Sequence, residues 1–353
     1  MWMIYGATGY TGKLLAEEAV VRGHKPILAG RSGLKLKALA EKLNLEYMAF
    51  PLDNERVVVD RIRESGVELV LHVAGPFTHT CEPMLNACLE NGVHYLDITG
   101  EIDVFERVFA HDAQAKEKGI VLMSGVGFDI VPSDCLVKYA AEQLPDANSL
   151  EVIISAISPN KDDMGTSAGT LKSFIEMIPG GNRIRRGGKL LPADFAAYTT
   201  TVQMGERTYH AASIPWGDIS TAYRTAGIPN ITAYMTLPPD QIRMIQRFGT
   251  PLRWLLKSSI IRAWASEQID KRITGPTENT RNTGRSHIFV RLENPAGEQF
   301  EAHLETLEGY QFTRIAAIRA VEQVLDGTFS GALTPASAFG ADFVLEIEGT
   351  KLY

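Results

Sequence analysis

The feature that most constrains this chain lies at its start. Trp2 to Tyr5 is a short apolar run, and Gly6-Ala7-Thr8-Gly9-Tyr10-Thr11-Gly12 follows at once. Lys13 to Arg22 then carries Leu14, Leu15, Ala19, Val20 and Val21 before Gly23 closes the segment. The pattern reads as strand, tight turn and helix. Gly6 permits the turn, Gly9 lets the backbone approach a pyrophosphate, and Gly12 lets the helix lie close to the strand. The helix N-terminus then faces the anion, with Thr8, Tyr10 and Thr11 on the same turn. A glycine turn without a ligand would have the same spacing. Its place between a predicted strand and a predicted helix favours the dinucleotide reading. The Gly-x4-Gly-Lys-[Ser/Thr] pattern of a P-loop cannot be aligned here.

The alternation continues, with Pro26 to Ala29 as strand and Gly30-Arg31-Ser32 after it. A site for NAD would place Asp or Glu near this point to bind the ribose 2′-hydroxyl. The missing carboxylate leaves room for a 2′-phosphate, held by the Arg31 guanidinium with the Ser32 hydroxyl assisting, so NADP(H) is the expected cofactor. The competing reading of Arg31 is a solvated loop charge. Further strands are predicted at Glu46 to Phe50, Leu69 to Val73, His94 to Ile98 and Ile120 to Met123, with helices between them. Asp53 follows the third strand, near the expected adenine, and Ala74-Gly75-Pro76 follows the fourth, where an open α/β sheet holds the rest of its dinucleotide. Six strands with crossover helices make an α/β Rossmann fold.

The length of 353 residues suggests about two domains. A net charge of −7 argues against a nucleic-acid partner, so an anion site must be local. The apolar runs are strand-sized, so no transmembrane segment is expected. No secretory signal pattern precedes the glycine turn, and Cys81, Cys88 and Cys135 form no CxxC pair. A cytoplasmic protein with reduced, buried thiols is expected. Cys81, Cys88, His72, His79 and His94 are close in sequence but match no zinc spacing, so no metal is expected.

Several motifs together resemble a known family. They are Gly6 to Gly12, Ala29 to Ser32, Val73 to Pro76, Tyr95-Leu-Asp-Ile-Thr-Gly-Glu101 and Gly127-Phe-Asp-Ile-Val-Pro-Ser-Asp134, with later matches at Gly165 to Thr170, Gly275 to Arg281 and Thr334 to Gly340. The set resembles the saccharopine dehydrogenase-like oxidoreductases, in particular the trans-acting enoyl reductase type. The resemblance implies an NADP-binding Rossmann domain with a second α/β domain closing over the nicotinamide. It also implies that the helix Tyr310 to Leu325 and the segment to Tyr353 return to the first domain. It implies no particular substrate.

From Ser149 the pattern changes to separated strands at Leu150 to Ile157, Tyr198 to Met204, Ser286 to Leu292 and Gln299 to Thr306, with a hairpin turn at Asn294 to Gly297. The expected organisation is a Rossmann domain over 1–130 and 310–353, and an α+β domain with a mixed or antiparallel sheet over 131–309. The second domain would bind substrate or form a homodimer. The basic stretch Asn182 to Lys189 reads as a solvated surface loop or as a site for a substrate carboxylate or phosphate. Arg243 to Arg262 mixes five cations with Trp254 and leucines, and Trp264 follows. It reads first as a helix in the domain core or a dimer interface, and otherwise as one that lies on a membrane or lines an acyl pocket.

The cofactor carries hydride chemistry, so the protein must orient the nicotinamide, exclude water and supply a proton. Asp129 and Glu101 are the candidate catalytic residues, each with an equally plain structural alternative. The chain has no Tyr-x-x-x-Lys and no activated cysteine motif, which argues against short-chain dehydrogenases and against semialdehyde reductases. The expected activity is NADP(H)-dependent hydride transfer to or from a C=N or C=C bond of a small molecule. The competing reading is a non-catalytic NADP-binding or lipid-surface protein.

Overall fold

The computed structural model describes residues 1–157, 166–204, 207–273 and 275–353. Two compact units are present, one of residues 1–129 with 310–338 and one of 130–309 with 339–353.

The first unit alternates strand and helix. Its strands are β1 (Trp2–Tyr5), β2 (Ile27–Gly30), β3 (Tyr47–Ala49), β4 (Leu69–His72), β5 (His94–Asp97) and β6 (Val121–Met123). Its helices are α1 (Tyr10–Val21), α2 (Gly33–Leu43), α3 (Glu55–Ser65), α4 (Phe77–Asn91), α5 (Ile102–Ala110) and α6 (Asp112–Lys118). Every residue of β1, β2 and β4 is buried, as expected for parallel strands covered on both faces. One face packs Met3, Tyr5 and Val70 against Val58, Ile62, Met84 and Leu85 of α3 and α4. Between β5 and β6 the helical stretch is broken at His111 into α5 and α6.

The second unit holds α7 (Val131–Gln143), β7 (Ser149–Ile157), α8 (Ala168–Met177), the hairpin β8 (Asn182–Arg186) and β9 (Lys189–Ala193), β10 (Thr199–Met204) and β11 (Arg207–Ser213). It continues through α9 (Asp218–Ala226), β12 (Asn230–Thr236), α10 (Pro239–Leu256), α11 (Ser259–Arg272), α12 (Glu278–Thr283), β13 (Arg285–Glu293) and β14 (Gln299–Leu307). The sheet is mixed: β7 and β12 are parallel, whereas β13 is antiparallel to both β7 and β14. Leu150, Val152 and Ile154 alternate inward with Val290, Leu292 and Leu304, all buried, and α7 lies against β13 and β14. The motif beginning at Gly165 starts outside the described residues.

After this unit, α13 (Gly309–Asp326) and β15 (Gly331–Ala332) return to the first. β15 adds a seventh parallel strand beside β6, giving the order β15-β6-β5-β4-β1-β2-β3. Helix α13 is tied to α1 by Glu18, which accepts from Arg314 Nη2 at 2.7 Å and from Arg22 Nε at 2.8 Å. Burial raises the Glu18 pKa, but the bonds from Arg22 and Arg314 outweigh it and hold the carboxyl below its ordinary value.

The end of the chain corrects the expected division. Past α14 (Pro335–Phe339), residues 339–353 belong to the second unit. Two attachments hold it there: the 3-10 turn Ala341–Glu346 packs on α7 with Phe343 and Val344 buried, and β16 (Lys351–Leu352) is antiparallel to β14, matching Leu352 with Leu304. A second correction concerns the basic stretch 182–189, which is the β8–β9 hairpin with Gly187 and Gly188 at positive φ. Arg185 is buried and donates to the carbonyls of Ile219 and Gly188 at 2.8 Å, and Arg186 donates to Thr232 Oγ1 at 2.9 Å. Those guanidinium groups serve the sheet, not a solvent-facing anion site.

Candidate functional site

The residues singled out in the sequence collect on one edge of the seven-stranded sheet, because parallel strands all end there. The glycine turn follows β1, Arg31 and Ser32 follow β2, Asp53 follows β3, Ala74-Gly75-Pro76 follow β4, Glu101 follows β5 and Asp129 follows β6. The strand order reverses between β1 and β4, where open sheets of this class bind their ligand.

The glycine turn tolerates nothing larger at two positions. Gly6 has φ +97°, and a Cβ there would lie 2.8 Å from the Val73 carbonyl carbon and the Ala74 nitrogen. A Cβ on Gly12 would meet the Gly6 carbonyl oxygen at 2.3 Å, so only glycine lets α1 lie this close to the turn. Gly9 N–H donates to Gly6 O at 3.0 Å, and Gly6 N–H to Ala29 O at 2.8 Å, which fixes the loop on β2. Gly9 caps α1 without a side-chain bond and no acid occupies the first turn, so the positive end of a 12-residue helix meets the loop. Tyr10 stands edge-on to Tyr310 of α13, with ring centroids 5.1 Å apart.

Arg31 is exposed and makes no ion pair among the described residues. Ser32 caps α2, its Oγ accepting from Lys35 N at 3.5 Å. Asp53 is exposed. Burial raises the Tyr5 pKa, with Arg31 and Asp53 both acting on the phenol, which places the two charges at one end of β1. The phenol donates to Phe50 O at 2.9 Å. Glycines with no room for a side chain, an uncapped helix start and an unpaired guanidinium fit a dinucleotide phosphate carrying an extra 2′-phosphate.

The β4–β6 part of the edge is built differently. Glu101 is buried, and its Oε1 accepts from Phe77 N at 2.8 Å while Oε2 accepts from Thr78 N at 2.7 Å and from the Thr78 hydroxyl. It therefore sits on the N-terminus of α4, a partner 23 or 24 residues away that no local pattern announces. Asp97, fully buried, accepts from Tyr95 Oη at 2.8 Å, Thr99 N at 2.9 Å, Ser124 Oγ at 2.7 Å and Gly125 N at 3.1 Å. Burial raises its pKa to about 6 against those bonds. It locks the ends of β5 and β6 together.

Asp129 is half-buried, and its Oδ2 would lie 3.0 Å from a Cβ on Gly100. Desolvation first, and the Glu101 charge second, raise its carboxyl to about 7. The segment before it is held by α13, with Phe128 N–H donating to Thr313 Oγ1 at 2.9 Å. The sequence offered no sign that Thr313, far along the chain, does this. Cys81, Cys88 and Cys135 are buried and unpaired, and burial raises the Cys81 thiol to about 12. Among the described residues no group of three His, Cys, Asp or Glu is placed to hold a metal.

The first third of the chain is similar to proteins already known. Residues 2–123 match the saccharopine dehydrogenase NADP binding domain. A saccharopine dehydrogenase-like oxidoreductase from Homo sapiens is 27% identical over 191 residues, covering 49% of this chain and 44% of the relative. A protein named as a candidate trans-acting enoyl reductase from Mycobacterium tuberculosis is 31% identical over 185 residues, covering 50% of this chain and 43% of the relative. The matches thus span less than half the length of these curated relatives. Among solved structures, saccharopine dehydrogenase (L-Glu forming) from Saccharomyces cerevisiae has a TM-score of 0.64 at 10% identity, covering 100% of this chain and 99% of that one. Homospermidine synthase from Legionella pneumophila, solved with NAD, has a TM-score of 0.63 at 10% identity, covering 100% and 91%. At such identities the likeness is one of fold. The resemblance drawn from the motifs, the Rossmann fold and the NADP cofactor all agree with these findings.

Proposed function

We propose that the chain is an NADP(H)-dependent oxidoreductase that transfers hydride to or from a C=N or C=C bond of a small molecule, an amino-acid-derived imine or an enoyl compound. The observation that carries this reading is Asp129, a carboxyl at the cofactor edge with a pKa of about 7, suited to exchanging a proton at neutral pH. The cofactor supplies or accepts the hydride. The glycine turn and the start of α1 bind the pyrophosphate, and Arg31 with Ser32 binds the 2′-phosphate, Asp53 standing beside the adenosine. Ala74, Gly75 and Pro76 border the nicotinamide half. Asp129 gives its Oδ proton to the substrate atom next to the one that gains hydride, and takes it back in the oxidation. Glu101 positions α4, and its charge adds to the burial that raises the Asp129 pKa. The names of the relatives support both bond types.

The test is NADPH consumption across panels of imines, enoyl thioesters and carbonyl compounds. Turnover on an imine or enoyl substrate that Asp129→Asn abolishes supports the proposal. Tight NADPH binding with no turnover on any panel overturns it in favour of a binding protein. Three buried, unpaired cysteines support a reducing compartment such as the cytoplasm. A homodimer, expected from the sequence, is checked by light scattering on the full chain.

A further inference from the structure

Helices α10 and α11 present an apolar surface that the second unit does not use. Their inner side is anchored: Ile242, Gly249 and Leu256 are buried. Arg253 Nε donates to Pro179 O at 3.1 Å, and Arg262 donates to Glu176 Oε2 at 2.9 Å and to Leu256 O at 2.7 Å. This holds the outer side in a fixed presentation. Met244, Phe248, Leu252 and Leu255 follow at spacings of four, four and three, which puts them on one helix face, and all four are exposed. Trp254 is 75% exposed, and Ile260 and Trp264 on α11 are 80% and 63% exposed. Helix α11 has no buried residue. The reading of this stretch as part of a domain core is therefore overturned for its outer side.

The charge around these side chains indicates what covers them. Residues 239–272 carry seven Lys and Arg against three Asp and Glu, a local excess of four positive charges in a chain of net charge −7. Arg243, Arg247 and Lys257 are exposed and make no ion pair among the described residues. Arg247 lies over the Phe248 ring at 5.5 Å. A second copy of this chain would bring the same positive charge against itself in a two-fold contact. An anionic membrane surface supplies the opposite charge, a greasy layer for the aliphatic residues and the interfacial zone that tryptophan prefers. Among the described residues no helix is long and apolar enough to cross a membrane, so the geometry is one of lying on the surface.

We propose that the outer face of α10 and α11 docks on an anionic lipid surface, with Trp254 and Trp264 in the interfacial layer and Arg243, Arg247 and Lys257 on acidic headgroups. The proposal is independent of the oxidoreductase reading. Its test is co-flotation of the full chain with vesicles of phosphatidylcholine alone or mixed with phosphatidylglycerol. Binding to the anionic vesicles is expected, weakened by salt. At about five-fold per cation, Arg243→Ala, Arg247→Ala and Lys257→Ala together weaken it roughly 100-fold. Trp254→Ser with Trp264→Ser costs a further measurable share, and brominated acyl chains quench the emission of the unmodified chain. NADPH affinity, read on the same samples, stays unchanged because every altered side chain projects outward. Absence of binding to anionic vesicles overturns the proposal, as does binding that both variants retain. Self-association of the full chain that the tryptophan variant abolishes also overturns it, assigning the face to protein contact.

Discussion

The two halves of the first unit's sheet edge solve opposite electrostatic problems. Beyond β1 to β3 the groups are backbone amides, a helix start and two exposed charges, Asp53 and Arg31, the latter with no ion pair among the described residues. Beyond β4 to β6 they are carboxylates: Asp97 and Glu101 buried with their oxygens filled by donors, and Asp129 half-buried with a raised pKa. The first half is left with positive potential for a ligand's phosphates to neutralise. The second uses donors from the chain itself to hold negative charge in place, and places one carboxyl where its proton is easily exchanged. On the proposed function, affinity for the cofactor and handling of the proton are separable properties of one sheet edge.

Asp129→Asn tests that separation most severely. It is expected to lower kcat by about 10²- to 10⁴-fold while leaving the Kd for NADPH unchanged. In the unmodified protein the reduction rate falls as pH rises through about 7, because the acid form is lost. A comparable loss of NADPH affinity would erase the distinction between the two halves. Arg31→Ala is expected to lower the preference for NADPH over NADH by about 10- to 100-fold, since one or two charge-assisted bonds disappear. An unchanged ratio of the two Kd values removes the 2′-phosphate from this place.

Glu101→Gln sharpens the second half from within. Loss of the charge on the α4 N-terminus should cost about 1–2 kcal/mol in denaturant unfolding. Removal of a negative neighbour should also move the kinetic pKa of Asp129 downward. A merely structural Glu101 would change stability and leave the pH profile alone. The smallest effect concerns Asp97, whose folded pKa of about 6 is above its ordinary value. Its protonated form favours the native state, so it adds stability below the ordinary carboxylate range that is lost as pH rises through about 6. Glu18 runs the other way: its lowered pKa adds stability above the ordinary range that is lost as pH falls through its folded value. Between pH 4.5 and 6, Asp97→Asn should therefore flatten the fall of Tm with rising pH.

The half proposed to meet phosphate was legible in the sequence as a glycine turn and a following cation because its determinants are local. Gly6, Gly9 and Gly12 follow a strand by fixed offsets, and Arg31 comes at the end of the next strand. The other half was legible only as a set of candidate acids. What decides the task of Glu101 is its contact with α4, and what supports the segment before Asp129 is Thr313 on α13, 185 residues from Phe128. In the second unit, β11 and β12 escaped notice because their alternation is weak, as in the half-polar run Arg207–Ser213. The return of residues 339–353 to that unit rests on the 3-10 turn Ala341–Glu346 and on β16, only two residues long, both too short to carry a pattern.

That division of the chain also sets an order of manufacture. A ribosome delivers β6 early, but the strand that covers its free edge, β15, comes only after residues 130–309 of the second unit have been made. During that interval the nascent sheet carries an unpaired parallel edge, the kind of surface on which chains join wrongly. The second unit in turn waits for β16, which follows β15 in the chain. Each unit is made of two separate stretches of the chain, so no single cut in the gene yields either one whole.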